Sequence, residues 1–148
     1  MPTVLMFLMY VFAIQPSYGY SVTSDPQAVT YYSLANANEG TDVLLAHEKL
    51  AGKTFFELDY GDLIQMDYPS GMQLYKVAEI KTYLALDPFS EWSYFKDNET
   101  GMTYASDELP SIVYRVGWLT LQTCYDNSRD RLFVIAERIE VWNEWKYK

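Results

Sequence analysis

Three residues of this chain could together do nucleophilic chemistry on an amide. Cys124 is the one cysteine, His47 is the one histidine, and Arg131 lies seven positions beyond the cysteine. A free thiol titrates near pH ~8.5, so only a small fraction is thiolate at neutral pH. An imidazole can take that proton, hold the thiolate as an imidazolium, or later protonate an amine leaving group. Acyl transfer also builds negative charge on a carbonyl oxygen, and a guanidinium fork donates to that oxygen without losing its own charge. Cys, His and Arg are thus a sufficient set for cleaving an amide through a thioester. A lone cysteine is also a common buried apolar residue, and a lone histidine a common structural one. The segments around them decide.

The elements that must position these groups read as strands. Trp118-Leu119-Thr120-Leu121-Gln122-Thr123-Cys124 has a strand-like alternation, and Arg131 opens a β-prone apolar run, Leu132-Phe133-Val134-Ile135-Ala136. The polar connector 125–130 between them predicts an antiparallel hairpin, which brings Cys124 and Arg131 to one end of a sheet. Facing depends on register, which alternation alone leaves open. Thr41-Asp42-Val43-Leu44-Leu45-Ala46 predicts a buried strand that ends at His47, with a loop at 48–53 in which Gly52 supplies the turn. Residues 62–68 and 74–80 predict a second hairpin about Pro69-Ser70-Gly71.

Elsewhere the pattern is less regular. Ser24-Asp25-Pro26 predicts the start of a short helix running to about Ala35 and stopped by Asn36, Asn38 and Gly40. A second short helix is expected from Ser106, with Asp107 and Glu108 in its first turn. Residues 87–103 read as an irregular loop anchored by Trp92 and Phe95. The apolar run at 4–14 is too short for a bilayer span of roughly 20 residues. No basic stretch precedes it as in a signal peptide, so a buried first strand is the preferred reading. The chain accordingly divides into residues 1–11, an apolar segment (first strand, signal or anchor remnant), and 12–148, the catalytic domain.

Composition agrees with a β-rich single domain. The 148 residues carry 14 Tyr, 7 Phe and 4 Trp, types that suit half-buried pleated surfaces. A formal charge of −9, with the first basic residue at Lys49, argues against nucleic acid and anionic membrane as partners, whereas a cationic acceptor such as an amine would be tolerated. One cysteine allows no intramolecular disulfide. One Cys and one His cannot build a zinc site, so no cofactor is expected. Asp42, Glu48, Asp126 and Asp130 could offer oxygen ligands to Ca²⁺, but they show no fixed ligand spacing, and a solvated acidic surface is the preferred reading. Asn98-Glu99-Thr100 fits a glycosylation triplet that is common by chance. Trp142 and Trp145 could cover a sheet edge or make an oligomer contact.

The local words resemble those of the sortase family. Thr120-Leu121-Gln122-Thr123-Cys124 is similar to that family's Thr-Leu-x-Thr-Cys strand, which ends in the catalytic cysteine. Arg131-Leu132-Phe133-Val134-Ile135-Ala136 resembles the next strand, which opens on the essential arginine, and fixes Arg131 over its neighbour Arg129. Leu44-Leu45-Ala46-His47 resembles the histidine strand; Phe55, Phe56, Leu58, Gly61-Asp62 and Ile64, then Tyr75-Lys76-Val77, resemble the segments beyond it. The resemblance implies an eight-stranded β-barrel with one or two short helices. It also implies Cys124, His47 and Arg131 as catalytic residues, with Thr123, Leu121 and Ala46 against the substrate. The implied substrate is a Leu-Pro-x-Thr-Gly-like sorting signal of surface proteins, cut before its Gly. The acyl group would pass to an amine of a peptidoglycan precursor or a pilin lysine, on the extracytoplasmic surface.

Three features depart from the family pattern: Ala46 where many members have Gly, a short connector between Cys124 and Arg131, and no clear membrane anchor. A non-catalytic barrel that binds peptide or assembles on a surface is the alternative. A papain-like peptidase fits poorly, because there the cysteine precedes the histidine.

Overall fold

The alternation over the last third becomes two long paired strands, and the rest of the chain wraps round to close a barrel on them. The computed structural model describes residues 1–17, 21–32, 41–90, 92–125 and 129–139. Ten strands form one sheet: β1 (Val4–Phe7), β2 (Tyr10–Pro16), β3 (Ala28–Tyr31), β4 (Asp42–Ala46), β5 (Leu63–Tyr68), β6 (Gly71–Ala85), β7 (Phe95–Asp97), β8 (Thr103–Tyr104), β9 (Trp118–Tyr125) and β10 (Asp130–Ile139). The spatial order is β10-β9-β4-β3-β2-β1-β5-β6-β7-β8, and β10 also pairs with β6. That last pairing closes eight strands into a barrel without open edges. β7 and β8 extend from the far end of the 15-residue β6 as a small flap.

Alternation sorts side chains into two cores. Leu119, Leu121 and Thr123 of β9, with Leu132, Val134 and Ala136 of β10, point inward and are buried. They pack with Leu5, Phe55, Ile64 and other apolar residues of the barrel interior. The opposite faces of the same strands bear Phe133 and Ile135, which pack outside the barrel with Tyr83 and with Leu109 and Val113 of α1 (Leu109–Val113). Tyr83 stands edge-on to Phe133 at 5.6 Å. Thr120 Oγ1 donates to the Val113 carbonyl at 2.5 Å, which ties α1 to β9.

Several expectations are corrected. The apolar run at 4–14 is a hairpin, not one strand: Leu8 turns with φ of 52° and Met9 stands in solvent, with β1 and β2 in antiparallel register on either side. Residues 1–11 thus carry β1 and the start of β2, and belong to the barrel wall. The helix expected from Ser24 is a turn leading into β3. Asp25 Oδ1 accepts from the Gln27 amide at 2.8 Å, closing an Asx turn, and the β-branched and aromatic Val29-Thr30-Tyr31 then runs parallel to β2. Residues 33–40, including Asn36, Asn38 and Gly40, lie outside the described residues, as do Asp126, Trp142 and Trp145. α1 begins three residues later than expected, after a turn in which Glu108 Oε1 accepts from the Ala105 amide.

The 87–103 region is a flap with real strands. Trp92 is 75% exposed, whereas Ser93 is buried, accepting from the Asp87 amide and donating to the Tyr94 carbonyl. Phe95 does pack against the outer core, as expected. The Asn98 amide donates to Thr82 Oγ1.

At the opposite end of β4 from His47, the Asp42 carboxylate accepts hydrogen bonds from Tyr31, Tyr68 and Tyr75 hydroxyls at 3.3, 2.6 and 3.2 Å. Burial first, and the Asp42 charge beside it, push Tyr31 up to about 12 from an ordinary 10.0.

Candidate active site

Register places the three reactive residues side by side. β4 runs parallel to β9 with Ala46 opposite Thr123, and β9 runs antiparallel to β10 with Thr123 opposite Leu132 and Cys124 opposite Arg131. The row Ala46–Thr123–Leu132 faces the barrel core. One step on, His47, Cys124 and Arg131 occupy the same end of three adjacent strands, with the thiol between its two partners. Because directly paired residues project to the same face of a sheet, Cys124 and Arg131 share the outer face.

The histidine backbone is held tightly. Its carbonyl accepts from the Leu50 and Gly52 amides at 3.0 and 2.9 Å, where the chain enters a 3₁₀ helix at Ala51–Glu57. The sequence suggests Gly52 as a turn residue; in the structure it is required because the chain passes so close. A Cβ there would lie 2.3 Å from Thr123 Oγ1 and 2.6 Å from the His47 carbonyl. The exposed His47 ring places Nε2 3.3 Å from the Val22 carbonyl. In the tautomer that donates this bond, Nδ1 is left as the ring's proton acceptor. Among the described residues no hydrogen bond joins the thiol to the imidazole. Both line one pocket of about 230 Å³, with Ala46, Glu48, Gln122 and Thr123.

Burial pushes the Cys124 thiol above its ordinary range; the Arg131 charge opposes this, and the Glu48 carboxylate adds to it. At neutral pH the thiol is therefore protonated, and its nucleophilicity depends on a base removing the proton at the moment of attack. Alkylation of native Cys124 by iodoacetamide is accordingly expected to rise with pH through a midpoint above the ordinary value of about 8.5. The unfolded chain is expected to react faster than the native one at neutral pH. The same sign makes the native thiol's contribution to stability complete below the unfolded pKa, and it is lost as pH rises through the native one. A native midpoint below that of the unfolded chain would instead indicate a preformed thiolate–imidazolium pair.

On the Arg131 side lies a larger cleft of about 530 Å³. Leu109, Pro110 and Val113 of α1 form one wall, Trp92 and Phe95 of the flap another, and Gln122, Arg131 and Phe133 the floor. Tyr114 donates its hydroxyl to Gln122 Oε1 and packs edge-on against Tyr32 and Phe133. Burial, reinforced by Tyr32 and Cys124 and opposed by Arg131, raises the Tyr114 pKa and keeps it a donor. Gln122 lines both cavities, one on each side of the thiol. Strand periodicity could have signalled Gln122, two residues before Cys124 and on its face. Tyr114 lies beyond α1, and no sequence pattern points to it.

The other expected contacts fall differently. Thr123 donates from Oγ1 to the Ala46 carbonyl at 2.7 Å, pinning β9 to the strand that delivers His47. Leu121 is fully buried and packs in the barrel core. Ala46 is buried but lines the pocket beside His47. Of the acidic residues weighed for Ca²⁺, Asp42 is held by tyrosines at one end of β4 and Glu48 lies past the other, so the two cannot share an ion. No group of three or more metal-binding side chains occurs among the described residues.

No protein-family model matches this sequence, and none of the curated protein sequences compared with it does. Solved structures do. Sortase C from Clostridium perfringens SM101 superposes with a TM-score of 0.57 at 20% identity, covering 93% of this chain and 69% of that one. Sortase C1 from Streptococcus agalactiae gives 0.62 at 14%, covering 95% and 68%. A lid mutant of sortase A from Corynebacterium diphtheriae gives 0.61 at 16%, covering 98% and 73%. The fold is a sortase-like barrel. In this sortase-like frame the outer core, α1 and the flap are the parts that shape the larger cleft, and β4, β9 and β10 are the parts that carry the reactive row.

Proposed function

We propose that this chain is a cysteine transpeptidase of the sortase type. The observation that carries the reading is the row of His47, Cys124 and Arg131 on three neighbouring strands, flanked by a cleft on one side and a smaller pocket on the other. A peptide lies in the larger cleft with its scissile carbonyl over Cys124. His47 takes the thiol proton as the sulfur attacks, and Arg131 donates to the oxygen that becomes negative. The tetrahedral species collapses to a thioester as His47 passes its proton to the leaving amine. An incoming amine then attacks the thioester, the C–S bond breaks, and the amine's proton returns through His47. Water in place of the amine gives hydrolysis as a side reaction. Every step is performed by side chains of this chain, and no cofactor is required.

The peptide proposed is a Leu-Pro-x-Thr-Gly-like sorting signal of surface proteins, with a cell-wall or pilus amine as acceptor and the extracytoplasmic surface as the place of action. The apolar cleft walls of α1 and the flap suit the Leu-Pro portion. Ala46 stays among the proposed substrate contacts, since it lines the pocket beside His47. No helix among the described residues is long and apolar enough to cross a membrane.

Intact-protein mass spectrometry with a small library of such peptides tests the reading. Wild type is expected to acquire an acyl adduct that Cys124→Ala does not, and an added amine is expected to discharge it. No adduct with any peptide, while Cys124 still reacts with a thiol reagent, would overturn the catalytic reading in favour of a barrel that only binds.

A further inference from the structure

We infer that Glu48 makes the smaller pocket a docking site for a cationic amine, so that the acyl-enzyme is discharged preferentially by acceptors carrying an ammonium group. The inference rests on the transpeptidase reading above and adds the identity of the second substrate.

Three observations carry it. First, the two cavities divide the work. Arg131 belongs to the larger cleft, and His47 and Cys124 to the smaller pocket, with Gln122 lining both. The group that protonates the leaving amine must also receive the proton of the incoming one, so the acceptor enters on the His47 side. Second, Glu48 lines that pocket, next to His47 in sequence and near enough to Cys124 to raise its thiol pKa. Third, among the described residues Glu48 makes no hydrogen bond and no ion pair; the ion pairs present are Glu79 with Lys81 and with Arg115.

A carboxylate beside a nucleophilic thiol opposes thiolate formation. Its placement is unfavourable for the first half of the reaction and favourable for the second, if the group arriving there is positive. The charge holds the ammonium form in the pocket and raises its local concentration. His47, neutral once the first leaving group has departed, takes one proton from the ammonium and releases it to solvent; as the neutral nitrogen then attacks the thioester carbon, His47 takes the second N–H proton. The C–N bond forms, the C–S bond breaks, and the thiolate leaves to be reprotonated by His47. A pocket of about 230 Å³ admits a lysine-like chain or a short peptide terminus.

The experiment has two arms. In the first, acyl-enzyme formed from a reactive peptide is partitioned between Nα-acetyl-lysine amide, which is cationic at neutral pH with a pKa of about 10.4, and hydroxylamine, which is uncharged there. Glu48→Gln is expected to lower the preference for the lysine compound about five- to tenfold, as one charge pair in a half-exposed site would. Glu48→Asp is expected to restore part of it, and salt to erode it in wild type alone. In the second arm no peptide is used. Cys124 is modified by 2-aminoethyl methanethiosulfonate, which is cationic, and by neutral methyl methanethiosulfonate, and the ratio of rates is compared between wild type and Glu48→Gln. Any change in thiol pKa affects both reagents and cancels in the ratio.

A cation preference that disappears in Glu48→Gln supports the inference. Absence of that preference in wild type, or its full persistence in Glu48→Gln, overturns it and leaves Glu48 a solvated surface charge. If no peptide acylates the enzyme, the transpeptidase reading fails, yet the second arm still decides whether the pocket selects cations.

Discussion

On the proposed mechanism, Arg131→Lys is expected to lower thioester formation by about 10²–10³-fold, the usual range for loss of an oxyanion donor, while leaving Cys124 as reactive toward alkylating reagents as in wild type. The two halves of this expectation separate two roles for the same cation. Arg131 faces Cys124 across the β9–β10 ladder and opposes the rise in its thiol pKa, an effect of charge that a lysine ammonium keeps. The planar fork is what lysine lacks. A guanidinium presents N–H groups in a fixed plane, so that one can donate to the Asp130 carbonyl, as Nη1 does at 3.3 Å, while others point at a developing oxyanion. A lysine ammonium on a flexible stem is not held in that direction. Arg131→Ala is expected to show both defects: lost acyl transfer and a further upward shift of the thiol titration. Single-turnover acylation and the pH profile of alkylation check this together. Near-normal turnover by Arg131→Lys would remove the oxyanion role, and a normal thiol titration in Arg131→Ala would remove the charge effect.

How far the sequence reveals such a site depends on how local the determining forces are. The hairpin of β9 and β10 is readable because an alternating segment and a β-prone apolar run, joined by a short polar connector, leave few other ways to bury Leu119, Leu121, Leu132 and Val134. That Cys124 and His47 sit at strand ends is legible in the same patterns. Their adjacency is not, because β4 and β9 pair in parallel across 77 positions and nothing local fixes such a register. The helix expected from Ser24 shows the opposite failure over its described part, residues 24–32. Ser24-Asp25-Pro26 is a fair helix start, yet Asp25 serves an Asx turn, and pairing with β2 and β4 claims Val29 to Tyr31. Size alone suggests an anchoring part for Trp92, while the small Ser93, which has two backbone partners, is the buried residue of that turn. Glu48 and Gln122 carry no motif of their own; only the cavities on either side of the thiol give them a part.

On the proposed mechanism, Gly52→Ala should disable acyl transfer from a position that lines neither cavity beside the thiol. The added Cβ would meet Thr123 Oγ1 at 2.3 Å, the His47 carbonyl at 2.6 Å and the Ala46 carbonyl at 2.9 Å. Two of these are backbone atoms, which cannot rotate aside. The third belongs to a buried hydroxyl already donating to the Ala46 carbonyl, so moving it breaks that bond. Something must shift, and the candidates are the 3₁₀ helix, whose Phe55 is locked in the barrel core, or the β4 terminus that carries His47. A stability loss of about 1–3 kcal/mol is expected, typical of a methyl forced into a packed site. Activity should fall further than stability explains, because a displacement of about 1 Å at a catalytic base can cost roughly 10²-fold. Removing the Thr123 hydroxyl as well, in Gly52→Ala with Thr123→Ala, makes room for the methyl but leaves the two carbonyl clashes. The double variant should therefore recover part of the stability and little of the activity. Urea unfolding and single-turnover acylation of wild type and the two variants check this. If the double variant regained full activity, the clash with Thr123 alone would be responsible, and the backbone contact to His47 would not set the position of the base.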